Sequence, residues 1–510
     1  MDTWLLLQAF LCFATLAFII TKILPNPRRG PKPKLPPGPK PWPVIGNLHL
    51  ISHIPHQSLH SLSQKYGEIM LLKFGTFPVI VASSPEMAKQ FLKTHDAVFA
   101  SRPPLSAGKY ISFNYSDVGF APYGPEWQQA RKIFTSEIFN AKSLESTEKI
   151  RAEESSNLIS RLFSLSGEPV VLRGHLMRYT LLIVCRMVFN DFNEPSNEKG
   201  VEELDELLGL LNEWFLLSGV YNNIGDWVPW LDFLDLQGYV KRMKALNRKL
   251  DRFLSYVIDG RKARKMGDDQ RTLKDVVDVL LQLSENPNLD VKMTNDRVKA
   301  LVQNLLVGGS DTSATVVEWT ILELLKHPHA IEKARDELNR VIGRNRWVNE
   351  YDFSKLPYVE AIIMESLRLH PISTPLVPHY ALKDCKVKGY DISKGTTVLI
   401  NTWSIGRDPQ AWAAPEEFSP ERFLGKEVDL LGGDFVLFPF GSGRRRCPGY
   451  NLGLKMVRTT LANLLHGFDL RLIEGTSLED MCMEEEYGLS THLKIPISII
   501  MEPTLPSHLY

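Results

Sequence analysis

Ten residues near the C-terminal end, Phe440–Gly449 (FGSGRRRCPG), set one cysteine, Cys447, directly after Arg444, Arg445 and Arg446, with Gly441, Gly443 and Gly449 on either side. Adjacent guanidinium charge favours thiolate over thiol. The glycines permit sharp turns and close backbone approach to a flat partner. A thiolate is a nucleophile or a soft metal ligand. With no Cys or His beside it, Cys447 cannot build a closed zinc site. It can be the single protein ligand of a haem iron, whose four in-plane bonds come from the porphyrin. Arg445 could then pair with a haem propionate. An inert core cysteine is the plain alternative, and three adjacent arginines fit it badly.

A second stretch combines an acid with hydroxyls. Residues 296–326 (DRVKALVQNLLVGGSDTSATVVEWTILELLK) read as one buried helix of nearly nine turns, apolar on most faces. Gly308 and Gly309 each weaken it by about 1 kcal/mol relative to alanine. Ser310, Asp311, Thr312 and Ser313 follow where the helix is most enclosed. A buried helix that weakens itself and carries an acid beside a hydroxyl is a candidate functional site. A kink with satisfied polar groups fits the same residues.

These stretches resemble the cytochrome P-450 superfamily. The cysteine loop matches the pattern F-x-x-G-x-R-x-C-x-G at Phe440, Gly443, Arg445, Cys447 and Gly449. GGSDTS (308–313) resembles the oxygen-activation motif, ESLR (365–368) the E-x-x-R motif, PERF (420–423) its partner, and WQQAR (127–131) the W-x-x-x-R motif. The resemblance spans essentially the whole chain. It implies a mainly α fold with small antiparallel β-sheets and haem b with Cys447 as axial ligand. It implies propionate contacts from Trp127, Arg131 and Arg445, with Phe440 at the cofactor, and a proton relay through Asp311 and Thr312. His379, in PLVPHY, is a further cofactor candidate, although a lone histidine is more often a core or surface residue. Glu365, Arg368 and Arg422 are implied as a buried structural triad that fixes the cysteine loop.

The implied activity is an NADPH- and O2-dependent monooxygenase. Its electrons would come from an external flavoprotein reductase, the NADPH–cytochrome reductase, with a cytochrome b-type protein as a second donor, because the chain shows no flavin or nicotinamide fingerprint. Arg131, Lys132, Arg444, Arg446 and Lys455 are candidates for the docking face. A haem-thiolate isomerase or dehydratase acting on peroxides is the second reading; such relatives tend to lack the acid–threonine pair present here. An oxidase whose successive turnovers cleave a C–C bond is a variant of the first. A thiol hydrolase and a non-catalytic membrane scaffold are the third and fourth.

Segments such as FAPYGPEWQQARKI and EEEYGLSTHLKIPI are similar to the large plant clan that includes flavonoid 3'-hydroxylases and terpenoid oxidases. Family position puts Tyr110, Phe113, Phe120, Phe215, Asn304, Leu305, Gly308, Ser373, Leu376 and Leu489 at the substrate pocket. An apolar ligand of small to middle size suits these side chains. Asn304 and Ser373 could orient a hydroxyl. Core packing is the competing role of each aromatic.

The elements that must position these groups follow from composition. Net charge is zero, with 59 basic and 59 acidic residues, so nothing global points to nucleic acid. Five cysteines are odd in number and scattered, without C-x-x-C, which argues against a disulfide scaffold. Residues 3–21 are uncharged, and as a helix would span roughly 28 Å. The basic residues follow them, so residues 1–24 read as a signal anchor in the endoplasmic reticulum membrane with a cytosolic body. A cleaved signal peptide is the alternative. Residues 25–47 read as a basic, proline-rich, stiff hinge. Residues 48–510 read as one catalytic domain: a hairpin over 69–83, amphipathic helices over 204–220 and 239–265, and strands over 388–401 and in the tail. Residues 222–235, with two tryptophans, read as an interfacial segment or an amphipathic cover.

Overall fold

The computed structural model describes residues 33–190, 198–265, 275–426, 429–430, 432–475 and 481–510. The anchor expected over residues 1–24 lies outside them. Among the described residues no helix is long and apolar enough to cross a membrane.

The N-terminal hairpin forms where apolar, β-branched runs flank a turn. Strands β1 (Ile69–Phe74) and β2 (Phe77–Ala82) pair antiparallel, with Phe74 opposite Phe77. Gly75 closes the turn at φ +56°, and a Cβ there would stand 1.9 Å from the Trp227 carbonyl oxygen. Two later strands complete the sheet, β3 (His379–Tyr380) and β4 (Thr397–Ile400), in the order β1-β2-β4-β3. The β2–β4 pair is parallel. The expectation of purely antiparallel sheets is corrected there: a parallel pair needs a long crossover, and most of the helical body lies between these strands. Smaller antiparallel sheets join residues 169–171, 468–472 and 498–503, and β5 (Glu485–Tyr487) with β6 (Thr491–Leu493).

The described part of the proline-rich hinge is docked on this sheet. The Leu71 amide donates to Pro37 O at 2.8 Å, and the Asn47 side-chain oxygen accepts from the Lys73 amide at 2.8 Å. A Cβ at Gly38 would stand 1.9 Å from Leu71 O. Residues 33–47 thus belong to the body rather than to a free spacer.

Six helices frame the cysteine loop: α1 (Pro125–Ile133), α2 (Leu172–Phe189), α3 (Asn295–Ser310), α4 (Thr312–Lys326), α5 (Pro357–Leu369) and α6 (Tyr450–Gly467). The main core joins α2, α4, α5 and α6, and every residue from Ser313 to Leu325 is buried. The single nine-turn helix expected over 296–326 is two helices, broken at Asp311. Thr180 of α2 donates its hydroxyl to the Ser310 carbonyl oxygen, which holds the break open from outside. Gly309 serves packing: its absent Cβ would lie 2.4 Å from Val184 of α2. Gly308 has nothing within 4 Å of that position and forms part of a cavity wall.

Candidate active site

Cys447 lies just before α6, its amide donating to Phe440 O at 2.8 Å. The turn tightens at Gly441 and Gly443, at φ +68° and +69°. A Cβ on Gly443 would stand 2.3 Å from Leu92 O, so the loop sits directly on the distant helical segment Gln90–Thr94. Behind the loop, Phe423, Leu437 and Leu454 cluster with Met364 of α5. The triad residues anchor this region. Arg368 is buried and donates twice to Glu365, at 2.7 and 2.8 Å. It also donates to Gly406 O, Pro415 O and Glu417 O at 2.6, 2.6 and 3.0 Å. Glu365 accepts further from Arg422 at 2.9 Å and from the Ser419 amide at 2.7 Å. One carboxylate and two guanidiniums thereby pin residues 406–422 to α5.

Cys447 opens onto a cavity of about 360 Å³. Gly308, Gly309 and Thr312, where α3 gives way to α4, line the same cavity. The rest of the wall is mostly apolar, including Phe134, Val184, Trp214, Phe215, Leu305 and Leu489. At one edge are Trp127, Arg131, Arg445 and His379, together with Arg102. Sequence reasoning missed Arg102; its partners are carbonyl oxygens of Gly119, Val377 and Pro378, from two distant stretches. Its one sequence signal is an arginine inside the apolar run VFASRPP.

The electrostatics of that edge call for an anion. Arg102, Arg131 and Arg445 form no ion pair with a carboxylate among the described residues. Burial, and then Arg102, pushes Arg445 down to about 8, while Asp117 opposes the shift. Burial also pushes Arg102 down to about 10 and lowers Arg131. A guanidinium stays charged in this range, so the direction of these shifts marks enclosed cations that a bound anion would complement. His379 follows the same logic: burial, then Arg102, push it down to about 3, and its Nδ1 lies 3.0 Å from Phe99 O. Three clustered cations, one cysteine sulfur and a broken helix on one mostly apolar cavity fit haem b, with its thiolate-bound iron and propionates.

Some expectations are corrected here. Arginine charge alone does not favour the Cys447 thiolate: burial raises its pKa, against smaller lowering effects of the Gly449 N–H, Arg131 and Arg446. Trp127 commits its indole N–H to Val118 O at 3.1 Å, and its ring carries Arg445 at 4.2 Å. Thr312 faces the cavity, its hydroxyl donating to Gly308 O at 2.9 Å. Asp311 points away, receiving hydroxyl hydrogen bonds from Ser490 at 2.5 Å and Thr315 at 3.4 Å. Ser490 itself lines the cavity, so the acid reaches it through that hydroxyl.

Of the pocket candidates, Phe215, Asn304, Leu305, Gly308, Ser373, Leu376 and Leu489 line the cavity. Tyr110, Phe113 and Phe120 do not. Tyr110 holds Lys109 and Lys244 over its ring at 5.0 and 4.8 Å. Phe113 begins a run of three left-handed residues that turns the chain. Phe120 packs on Trp214 at 6.1 Å. Asn304 has both ends of its amide occupied within the protein. Ser373 Oγ donates to Pro375 O at 3.3 Å.

The expected basic face is partly neutralised. Arg444 pairs with Asp96 at 2.6 Å, Lys455 with Glu350, and Arg131 lines the cavity. Of the two tryptophans in 222–235, Trp227 is core, edge-on to Phe74, and Trp230 is exposed beside Phe233.

The cytochrome P450 family profile matches residues 36–497. The chain is 42% identical to a trimethyltridecatetraene synthase of Zea mays, with 97% of this chain and 93% of that one covered. It is also 42% identical to a flavonoid 3'-monooxygenase of Petunia hybrida, over 95% and 94%. A zebra fish cytochrome P450 solved with progesterone superposes with a TM-score of 0.75 at 26% identity, covering 88% of this chain and 99% of that one.

Proposed function

The chain belongs to the cytochrome P450 family and is a monooxygenase of its plant branch, and from that premise we propose that it oxidises a lipophilic terpenoid or phenolic metabolite of small to middle size. The carrying observation is the cavity wall: mostly apolar, with its charged groups at the arginine edge and only a few neutral polar side chains elsewhere, Thr312, Ser490, Asn304 and Ser373 among them. Such a wall favours ligands that lose little hydration on entry. When bound, haem b would activate O2, which is the oxidant. Cys447 would hold the iron. Arg102, Arg131, Arg445 and His379 would hold the anionic edge, with Trp127 beneath Arg445. Thr312 would move a proton at the cavity surface, and Asp311 would supply it by way of the Ser490 hydroxyl.

Electrons would come from NADPH through an external flavoprotein reductase, with a cytochrome b-type donor as a second source. Lys132 and Arg446 remain for its docking. Residues 1–24 would anchor the chain in the endoplasmic reticulum membrane. The exposed Trp230 and Phe233 would rest at the same interface, near apolar ligands dissolved there.

The test is a substrate-binding difference spectrum on haem-loaded protein in microsomes, titrated with a flavanone and an acyclic terpenoid alcohol. A low-to-high-spin shift reports a ligand beside the iron. A shift with one compound assigns the class, and product mass then separates simple hydroxylation from loss of a carbon fragment. No shift and no turnover with either class would refute the proposal.

A further inference from the structure

Residues 117–121 run between α3 and the cysteine loop, and their backbone is sorted by direction. The N–H groups face acceptors on one side: Val118 N donates to Asn304 Oδ1 at 2.7 Å, and Phe120 N and Ala121 N donate to Asp117 Oδ1 at 2.8 and 3.1 Å. The carbonyl oxygens face cations and donors on the other. Val118 O accepts from Trp127 at 3.1 Å and Arg445 at 3.3 Å, Gly119 O from Arg102 at 3.0 Å, and Ala121 O from Arg445 at 2.6 Å. Asn304 closes the arrangement, its Nδ2 donating to Asp117 Oδ2 at 3.2 Å. Only one orientation of the amide satisfies both contacts, since Val118 N needs an acceptor and the Asp117 carboxylate a donor. Asp117 is buried, so its carboxylate depends on these donors.

We infer that Asn304 is a positioning residue for the haem-side arginines and not an anchor for the substrate: its amide, locked to Asp117 and Val118, aims the carbonyls of Val118, Gly119 and Ala121 at Arg445, Arg102 and Trp127. Residue 118 is the pivot, with its N–H on the α3 side chain and its carbonyl on the cofactor edge. Freeing that N–H lets the peptide plane turn, and the carbonyl leaves both partners. The arginines then hold an anionic ligand less firmly, although the hydrogen bonds of the Asn304 amide run to Asp117 and Val118 and not to the arginines themselves. The inference rests on the haem-thiolate reading, which the wild-type carbon-monoxide spectrum reports by itself; the differences between variants report the inference.

The experiment uses full-length holoenzyme carrying N304L, N304D, D117N or the swap D117N/N304D. Haem transfer to apomyoglobin, the midpoint potential, and binding of a flavanone and an acyclic sesquiterpene alcohol are measured. N304L is expected to lose haem about tenfold faster with a shifted potential, and to bind the apolar probe within about twofold of wild type. N304D is expected to lose haem equally fast, because it sets a second carboxylate against Asp117. The swap again sets one amide donor opposite one carboxylate, and is expected to recover to within about threefold of wild type. Wild-type haem retention in N304L with about tenfold weaker probe binding would overturn the inference and make Asn304 a substrate anchor. A swap no better than the worse single variant would overturn it as well.

Discussion

Arg368→Ala tests the triad most directly. The side chain is buried and makes five hydrogen bonds, two to Glu365 and three to the carbonyls of Gly406, Pro415 and Glu417. Removing one partner of a buried ion pair costs about 3–5 kcal/mol. Glu365 keeps Arg422 and the Ser419 amide, which places the loss near the lower end of that range. Each of the three abandoned carbonyls adds about 1 kcal/mol. The sum, about 6 kcal/mol, is comparable to the whole stability of many folded domains, about 5–15 kcal/mol. Because residues 406–422 pack against the region that carries Cys447, the loss falls on the cysteine loop. The expected result is chain without haem: no thiolate-type band in the reduced carbon-monoxide spectrum, at a protein level fixed by immunoblot. Arg422→Ala should be milder, at about 1–2 kcal/mol, since Arg422 is nearer the surface and Glu365 keeps Arg368. R368A holoprotein at wild-type yield would refute the reasoning.

Thr312→Ala removes the hydroxyl at the cavity wall; peroxide released per NADPH should rise and product should fall, whereas an unchanged ratio would take Thr312 out of the relay. The paired glycines should behave oppositely. G309A drives a methyl into Val184 and should cost about 1–3 kcal/mol in thermal stability; G308A meets only open space and should fold normally while changing spectral affinity for bulky ligands, so equal melting temperatures would contradict the packing. His379 supplies a pH test in haem-free protein. Its folded pKa, near 3, lies below the ordinary value of 6.5, so between these values the unfolded chain binds the extra proton. Stability should therefore fall as pH drops below about 6.5, by up to about 1.4 kcal/mol per pH unit from this residue. Chemical denaturation at pH 7 and pH 5 should show that part of the slope missing in H379Q.

The cysteine loop and the triad were legible in the sequence because their residues lie within short motifs whose spacing survives folding. The pocket was legible only in part. Tyr110, Phe113 and Phe120 lie in the expected stretch, but the left-handed backbone at residues 113–115 turns the chain there, and Val118 and Gly119 line the cavity instead. Asp311 and Thr312 are neighbours in sequence, and the break between α3 and α4 sends their side chains to different partners. Asn304 looked like a free polar group because its partners, Asp117 and Val118, are some 190 residues away, roughly a domain's length in sequence. Arg102 belongs to no spaced motif and is held by carbonyls, which every residue has. The parallel β2–β4 pair depends on a register that no local pattern encodes.

That parallel pair also bears on how the protein is made. Val79 pairs with Thr397, about 320 residues later, so at ordinary synthesis rates of about 5–20 residues per second the hairpin waits on the order of 15–60 s for its neighbour. Throughout that interval β2 presents an unpaired edge with the sequence FPVIVA. Pro78 interrupts the row of donors near one end of that edge, which blunts it as a template for other chains. The docked residues 33–47, already synthesised, can cover the β1 side during the same wait. The nascent chain thus has one protected edge and one exposed one, and the second closes only when β4 emerges.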